Sequence, residues 1–169
     1  MRPTSATWVV ITDTSLLINL THTGHLHLLG RTPPYRFAVP DEVVSEVTEP
    51  DQRQAVETAL DDDVIARISL ESIEDLVLYS DFLRILGAGE SACLALAKAR
   101  GWLIVCDEKR VFLREARGRL GNGRLLNTVG LYLIWIRLRV LTVEQADEAK
   151  HVLETRRFRM SFGCFADIV

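Results

Sequence analysis

The sequence predicts an α/β fold in which helices cover both faces of a central, mainly parallel sheet, forming a three-layer α/β/α sandwich. Two short apolar runs, Trp8–Thr12 and Trp102–Cys106, have the nearly continuous hydrophobicity of strands that are buried on both faces. Segments of helical periodicity follow each run, and strands that alternate with helices favour parallel pairing through right-handed crossovers. With 169 residues, 48% of them hydrophobic, residues 1–169 are long enough for one domain with a proper core.

The first half of the chain supplies further strands and helices in alternation. After Trp8–Thr12 the pattern predicts a helix over 14–20, a strand over 36–39, a helix from 40, a helix over 51–60 and a short strand or extended connection over 64–70. Pro40 and Asp41 begin one of these helices, because proline is tolerated in the first turn and Asp accepts hydrogen bonds from its free amides. Valines on one side of that helix indicate a face that packs against the core.

The second half repeats the alternation and ends in helices. The pattern predicts a helix over 74–86, a break at 87–89, an alanine- and leucine-rich helix over 90–100, a basic helix over 109–119, a short strand over 124–126 and a C-terminal helical segment over about 143–160. Leu125–Leu141 is apolar, but Arg137 and Arg139 interrupt it, and it is shorter than the roughly 20 apolar residues that cross a bilayer. We therefore expect no membrane span, but a helix buried in the domain or in a dimer interface.

Composition restricts the partners and the compartment. The formal net charge of -3 and the pI near 5.8 argue against a protein that coats nucleic acid or membranes by bulk electrostatics, so any contact with a polyanion must be local. Cys93, Cys106 and Cys164 are odd in number and widely spaced, which favours buried thiols in a reducing compartment over a disulfide framework. The first residues lack the apolar stretch of a signal peptide. We expect a cytoplasmic protein.

Four acidic residues from distant positions are predicted to converge. Asp13 and Asp107 follow the two clearest strands, and ligands of open parallel sheets collect at the carboxyl ends of the strands. Glu46 and Glu90 lie in helices that are expected to pack beside that edge. Two carboxylates about 4 Å apart repel by roughly 4 kcal/mol at an effective dielectric of 20, so the cluster needs protons or a cation. Oxygen ligands favour Mg²⁺ or Mn²⁺, and such an ion activates water and stabilises the leaving oxygen of a phosphodiester.

Each acidic residue also has a structural interpretation. Asp13 and Asp107 stand where helix N-caps are expected. Glu46 by itself is typical of a solvated helix residue, with Glu42 and Glu49 equally available. Glu90 can simply add favourable charge to the first turn of its helix. The metal-site interpretation depends on the set and its order rather than on any one residue.

Several segments, in the same order, resemble the successive motifs of PIN-domain proteins. They are Asp13–Ile18 after an apolar strand, Val39–Glu46, Leu86–Ala92, Val105–Arg110 and Asn127–Leu131. In the last of these segments a polar residue completes the family's site, and this position is ambiguous between Asn127 and Thr128; we take Asn127. The chain departs from the pattern at Cys106, where many members have Thr or Ser, and at Glu108, where many have a second Asp.

The resemblance implies a metal-dependent ribonuclease that uses Mg²⁺ or Mn²⁺. Asp13, Glu90 and Asp107 would be metal ligands, and Glu46 a ligand or a group that orients water. Such proteins are often the toxin of a toxin–antitoxin pair, act as homodimers and are silenced by a small antitoxin protein. The alternatives are a PIN-fold module that binds RNA or protein without turnover, and a phosphatase or phosphoacceptor domain, which also uses an Asp at a strand end.

Basic residues are concentrated in two places. Those of the first group follow Asp107 and are Lys109, Arg110, Arg114, Arg117, Arg119 and Arg124. Lys109, Arg110 and Arg114 are the candidates for contact with RNA phosphates, and the alternative is a solvated helix face. A second group, Arg156, Arg157 and Arg159, is compatible with RNA, with an acidic partner or with a role in solubility alone.

Overall fold

The computed structural model describes residues 7–107 and 110–169, in which a five-stranded sheet forms the centre of the molecule. Its strands are β1 (Trp8–Ile11), β2 (Tyr35–Pro40), β3 (Ala66–Ile68), β4 (Leu103–Val105) and β5 (Leu125–Leu126). All neighbouring strands are parallel, and their order is β3-β2-β1-β4-β5. The predicted α/β class with a parallel sheet is confirmed, and β1 and β4, the two clearest strands of the sequence, lie side by side at its centre.

Helices cover both faces of the sheet. They are α1 (Thr14–Thr23), α2 (Asp41–Glu46), α3 (Pro50–Asp61), α4 (Ile73–Phe82), α5 (Ala88–Arg100), α6 (Arg110–Leu120), α7 (Thr128–Arg137) and α8 (Val143–Thr155). Helix α5 packs against β1, β2 and β4 and also contacts α2, α4 and α6. Helix α1 packs against α3 and α8, and α7 packs against α8. Parallel crossovers of this kind bury a sheet between two helical layers.

Several helix boundaries differ from the predictions. The helix predicted over 74–86 ends at Phe82, and the helix predicted from 90 begins at Ala88, so the break predicted at 87–89 is observed at 83–87, with Gly87 as the extended N-cap of α5. The C-terminal helical segment, predicted over about 143–160, ends at Thr155. Arg157 adopts a left-handed backbone with φ of 69°, and the N–H of Phe158 turns back to donate to the carbonyl of Leu153 at 3.0 Å. This geometry ends the helix and sends the chain off in a new direction.

One face of helix α7 is buried inside the domain. The side chains of Leu131, Tyr132 and Trp135 are completely inaccessible to solvent. The indole N–H of Trp135 donates to the hydroxyl of Thr32 at 2.7 Å, so its polar atom is satisfied as well. The domain interior is therefore the environment of this face of α7, and a dimer interface along its other side stays a prediction. No helix within 7–107 and 110–169 combines the length and the apolar character that a membrane crossing requires.

Helix α4 carries three strongly exposed apolar side chains. Ile73 is 83% exposed, Leu76 50% and Val77 56%, and their spacing along the chain places them on one face of the helix. We call these three residues the apolar face of α4. Contiguous exposed apolar side chains of this kind mark surfaces that contact a partner.

A buried carboxylate holds the start of α4. One oxygen of Asp75 accepts hydrogen bonds from the N–H groups of Ser72 and Glu71, both at 3.1 Å, and from the guanidinium of Arg100 at 2.9 Å. Its side chain is 1% exposed. Burial acts to raise the pKa of Asp75, but these donors together outweigh burial and hold the pKa below its ordinary value. Folding therefore stabilises the ionised form of Asp75 relative to the protonated form.

Replacing Asp75 with Asn should lower the free energy of unfolding by about 2 kcal/mol at pH 7, because charged hydrogen bonds are lost in a buried site. A lowered folded-state pKa contributes stability above the unfolded-state pKa, 3.8, and that contribution disappears as the pH falls through the folded-state pKa. The difference between the wild type and the variant should therefore shrink below about pH 4. Urea unfolding at pH 7 and pH 3 measures it.

The matched control is Asp81→Asn, which removes one exposed carboxylate from the same helix. It should change the free energy of unfolding by less than about 0.5 kcal/mol. Equal effects of the two substitutions, or a difference that is the same at both pH values, would contradict the assigned role of Asp75.

Candidate functional site

Asp13 lies at the carboxyl edge of the sheet, where β1 passes into α1. Thr12 separates it from the last residue of the strand, and its own backbone is extended. The carboxylate accepts a hydrogen bond from the N–H of Leu16 at 2.9 Å, which makes Asp13 the N-cap of α1. The residue is only 5% exposed. The capping role foreseen as the alternative is therefore real, and it fixes the direction of the side chain.

Asp107 emerges from the neighbouring strand at the same edge. Strands β1 and β4 pair in parallel, with Ile11 opposite Ile104, so the residues that follow both strands leave the sheet on one side. One carboxylate oxygen of Asp107 accepts from the N–H of Thr128 at 2.9 Å, and the other from the hydroxyl of Thr128 at 2.5 Å. These bonds hold Asp107, which is 8% exposed, against the start of α7.

Glu46 connects the ends of three helices. It is the last residue of α2, and its carboxylate accepts hydrogen bonds from the N–H of Gly89 at 2.8 Å and from the hydroxyl of Thr14. Gly89 belongs to the first turn of α5 and Thr14 to the first turn of α1. A Cβ atom on Gly89 would stand 2.6 to 2.8 Å from the carboxylate of Glu46, so this close approach requires glycine.

Glu90, the next residue of the first turn of α5, is half-buried. Its carboxylate accepts from the N–H of Gly87 at 3.4 Å, at the start of the same helix. The predicted role of favourable charge in the first turn is compatible with this contact. Glu46 and Glu90 thus both lie against the beginning of α5, with Gly89 between them.

The thiol of Cys93 shows that acidic side chains converge. Burial raises the pKa of Cys93 well above its ordinary value, and the charges of Asp13, Glu46, Glu42 and Glu90 raise it further. The thiol also donates to the carbonyl of Thr12 at 3.4 Å, which places it directly beneath the residue that precedes Asp13. The carboxylates of α2 and α5 and of the N-cap of α1 therefore all act on the Cys93 thiol.

Cys106 extends this environment to the fourth predicted residue. Burial raises the pKa of its thiol to about 12, with further contributions from Asp13, Asp107 and Glu90, while Arg117 acts in the opposite direction. Cys106 occupies the position at which the family pattern often has Thr or Ser. Asp13 and Glu90 thus act on both thiols, Glu46 acts on that of Cys93 and Asp107 on that of Cys106.

Glu42 was considered only as a substitute for Glu46, yet the structure brings both to this region. One carboxylate oxygen of Glu42 is buried and has no hydrogen-bond partner among the described residues. Burial raises the pKa of Tyr79, and the charges of Glu42 and Glu46 raise it further, so both carboxylates lie near this ring. The two glutamates are four residues apart on one short helix, which is the spacing that places side chains on the same face. This spacing in the sequence could have predicted that Glu42 lies in the same region as Glu46.

The donor set fits a hydrated divalent cation. All the acidic side chains of this region offer carboxylate oxygens, which Mg²⁺ and Mn²⁺ prefer, and a buried carboxylate oxygen on Glu42 has no partner in the part of the chain that the structure describes. Among the described residues, no group of three or more His, Cys, Asp or Glu side chains forms a ready-made metal cage. Mg²⁺ is commonly held by one or two carboxylates together with water, so such a cage is not required.

The two candidates for the additional polar position have different roles. The side chain of Asn127 accepts from the N–H of Gly130 at 2.7 Å and so caps α7. Thr128, which is completely buried, makes the two hydrogen bonds to Asp107. The structure therefore joins Thr128 directly to the acidic region and places Asn127 one residue away, at the rim. A functional role for Asn127 stays a prediction.

The predicted nucleic-acid contacts differ in their surroundings. Lys109 lies outside the described residues. Arg110 is exposed at the start of α6. Arg114 is exposed too, but its guanidinium pairs with Glu115 at 3.2 Å, which offsets part of its charge. Arg117, one turn of α6 further along, lies close enough to Cys106 to influence the pKa of its thiol.

The fold and this acidic region define a class of protein: a three-layer α/β/α domain with carboxylates gathered at the carboxyl ends of its central strands. The chain matches the family model DUF3368, described as a PIN domain, over residues 9–168. It belongs to the PIN-domain family, as the sequence motifs predicted.

The chain also resembles a solved structure. One chain of the crystal structure of VapBC2 from Rickettsia felis, bound to a DNA fragment from their promoter, is 16% identical, with a TM-score of 0.47. The similarity covers 70% of this chain and 98% of that chain. No curated protein matches the sequence.

The close approach of Gly89 to Glu46 can be tested by a double-mutant cycle. In a Glu46→Ala background, Gly89→Ala should stabilise the protein by up to about 1 kcal/mol, because alanine favours the helix. In the wild-type background the added methyl collides with the carboxylate and removes its hydrogen bond, so this gain should be lost. Urea unfolding of the four proteins should give a coupling energy of about 1 kcal/mol or more.

Gly87→Ala is the matched control, since a Cβ atom there meets nothing within 4 Å. Its effect should be the same with and without Glu46. Additive effects of Gly89→Ala and Glu46→Ala would show that the contact does not constrain the carboxylate.

Proposed function

We propose that this PIN domain is a metal-dependent endoribonuclease that hydrolyses phosphodiester bonds of RNA with Mg²⁺ or Mn²⁺. The observation that supports the proposal is geometric: Asp13 and Asp107 follow two paired parallel strands, and Glu46 hydrogen-bonds to Thr14 and Gly89, the neighbours of Asp13 and Glu90 in sequence. A set of carboxylates that repel each other reduces the stability of the fold, and a cation offsets that cost. The alternative, a PIN-fold module that binds RNA or protein without turnover, has no need of such a cluster.

The chain's own residues hold and orient the proposed ligands. Asp13, Glu90 and Asp107 would hold the cation, and Glu46 would be a further ligand or would orient water. When bound, a divalent ion lowers the pKa of water and stabilises negative charge on the leaving oxygen. Thr128 is a positioning residue, because its N–H and hydroxyl fix both oxygens of Asp107. The bonds of Glu46 to Gly89 and Thr14 fix its carboxylate in the same way.

Replacing Asp13 or Asp107 with Asn should lower cleavage of a mixed pool of structured RNAs by at least about 100-fold, since loss of groups that support a metal site already costs 10- to 100-fold. The fold should survive. An amide oxygen can still cap α1 at residue 13 and accept from the N–H of Thr128 at residue 107. Gel analysis of the products with Mg²⁺, Mn²⁺ or EDTA measures the effect.

Asp81→Asn, which removes an exposed carboxylate away from the site, is the control and should cleave like the wild type. Thermal unfolding with and without Mg²⁺ supplies a second readout, because a ligand that binds the native state raises its stability. Cleavage that persists in the Asp13 and Asp107 variants, or that is unaffected by EDTA, would rule out the proposed mechanism.

A homodimer is part of the proposal, and the apolar face of α4 offers a surface for it. Val77→Glu should shift the protein from dimer to monomer, because a charge would be buried against an apolar partner surface. Size-exclusion chromatography with light scattering measures the mass. Val152→Glu makes the same substitution on α8, where the side chain is 37% exposed, and should leave the mass unchanged.

A monomeric wild type, or a dimer that persists in the Val77→Glu variant, would remove α4 from consideration. The small antitoxin partner and the cytoplasmic location implied by the family resemblance stay predictions.

A further inference from the structure

A cleft of about 1270 Å³ opens beside Asp107. Its lining includes residues of α1 and α6, among them Ser15 and Arg117, and residues of β5 and the start of α7. A further wall is formed by residues 156–162, the irregular segment that follows α8. We call this space the Asp107 cleft. The catalytic residues predicted from the sequence account for only one of its edges.

The wall formed by 156–162 has two different sides. Phe158, Met160 and Phe162 are partly buried and pack against the hydrophobic core. The residues between them, Arg159 and Ser161, are exposed. This alternation is that of an extended chain, in which successive side chains point in opposite directions. The apolar side chains anchor the segment against the core and, because they are only partly buried, also line the cleft together with the exposed arginines.

The cleft is locally positive although the whole chain has a formal net charge of -3. Its cationic residues are Arg117, Arg156, Arg157 and Arg159, and Asp107 is the one carboxylate in its lining. Within 7–107 and 110–169, none of the four arginines forms an ion pair. On the same basic helix as Arg117, by contrast, Arg114 and Arg119 both pair with Glu115, at 3.2 and 3.7 Å. The cleft therefore contains four positive charges that no described acidic side chain pairs with directly.

We propose that the Asp107 cleft binds the phosphate backbone of a single-stranded RNA, with Arg117, Arg156, Arg157 and Arg159 in contact with phosphates. This proposal rests on the proposed nuclease function and names the surface that would deliver the strand to the acidic residues. Arginine guanidinium groups match phosphate geometry. Phe158 and the other apolar residues of the lining offer surfaces for unpaired bases, as in other single-strand binding grooves. A strand in the cleft passes Asp107 and therefore reaches the carboxylate edge.

The backbone of Arg157 makes a discriminating variant possible. Its φ of 69° is a conformation that glycine adopts without strain, so Arg157→Gly removes the guanidinium without disturbing the turn. Arg139 has a φ of 56° just after α7 and does not line the cleft. Arg139→Gly is therefore a matched control, with the same loss of charge and the same relief of the backbone. Urea unfolding should show that neither variant is less stable than the wild type.

The experiment is fluorescence anisotropy with a labelled oligouridylate in EDTA, so that binding is measured without cleavage. Arg157→Gly should weaken binding several-fold at low salt, and the slope of log K against log salt should become shallower by about 0.7, the value for one phosphate contact with a single strand. Arg139→Gly should bind with the wild-type affinity and slope. Arg157→Gly combined with Arg159→Ser should lower the slope by about twice as much.

Indistinguishable binding by the Arg157→Gly and Arg139→Gly variants would overturn the proposal. The proposal would also be overturned if binding of a polyglutamate peptide depended on Arg157 and binding of oligouridylate did not. The cleft would then be a site for an acidic protein segment. The assay needs neither metal nor turnover. If binding depends on Arg157 but the protein cleaves no RNA, the RNA-binding role of the cleft is supported and the nuclease proposal is not. If the protein cleaves RNA but binding does not depend on Arg157, the nuclease proposal is supported and the role of the cleft is not.

Discussion

The beginnings of three helices hold the acidic side chains, and the acidic region depends on this arrangement. Asp13 accepts from the first turn of α1, Glu46 from the first turn of α5 and Asp107 from the first residue of α7. The free N–H groups of a helix start carry partial positive charge and favour a nearby anion. In a parallel sheet every crossover helix begins at the carboxyl edge, so the fold itself supplies these donors where the carboxylates gather. The repulsion among the carboxylates is thereby offset in part by the backbone.

Glu46 shows how tightly this arrangement constrains the sequence. Its carboxylate contacts residues 32 and 43 positions away, and it is exposed enough that solvation would otherwise leave it mobile. The contact with α5 exists only because residue 89 has no side chain. A glycine inside the first turn of a helix costs conformational entropy, about 1 kcal/mol relative to alanine. The hydrogen bond to Glu46 offsets this local cost. Such a conflict between local propensity and a tertiary contact is expected at a functional site.

The sequence predicted the elements that depend on local patterns. Strands β1 and β4 are recognisable because they are uninterrupted apolar runs, and Asp13 and Asp107 were found because each follows such a run. Features that arise from distant contacts were not predictable in this way. The hydroxyl of Thr128 meets Asp107 across 21 residues, and no local pattern distinguishes Thr128 from Asn127 as its partner. The burial of one face of α7 also depends on tertiary packing, because α8 and the C-terminal residues cover that face. The apolar run alone does not show which segment packs against it.

The basic residues illustrate the same difference between composition and structure. Counted along the chain, the charge is greatest on α6 after Asp107, and this was the predicted contact with RNA. Glu115 lies on the same helix, however, and it pairs with the arginines on both sides of it. The segment 156–162 is remote in sequence, but its arginines have no acidic partner among the described residues, and they face the edge where Asp107 lies. Because an unpaired charge next to a cleft attracts a polyanion more strongly than a compensated one, the position of the acids decides which basic cluster can act.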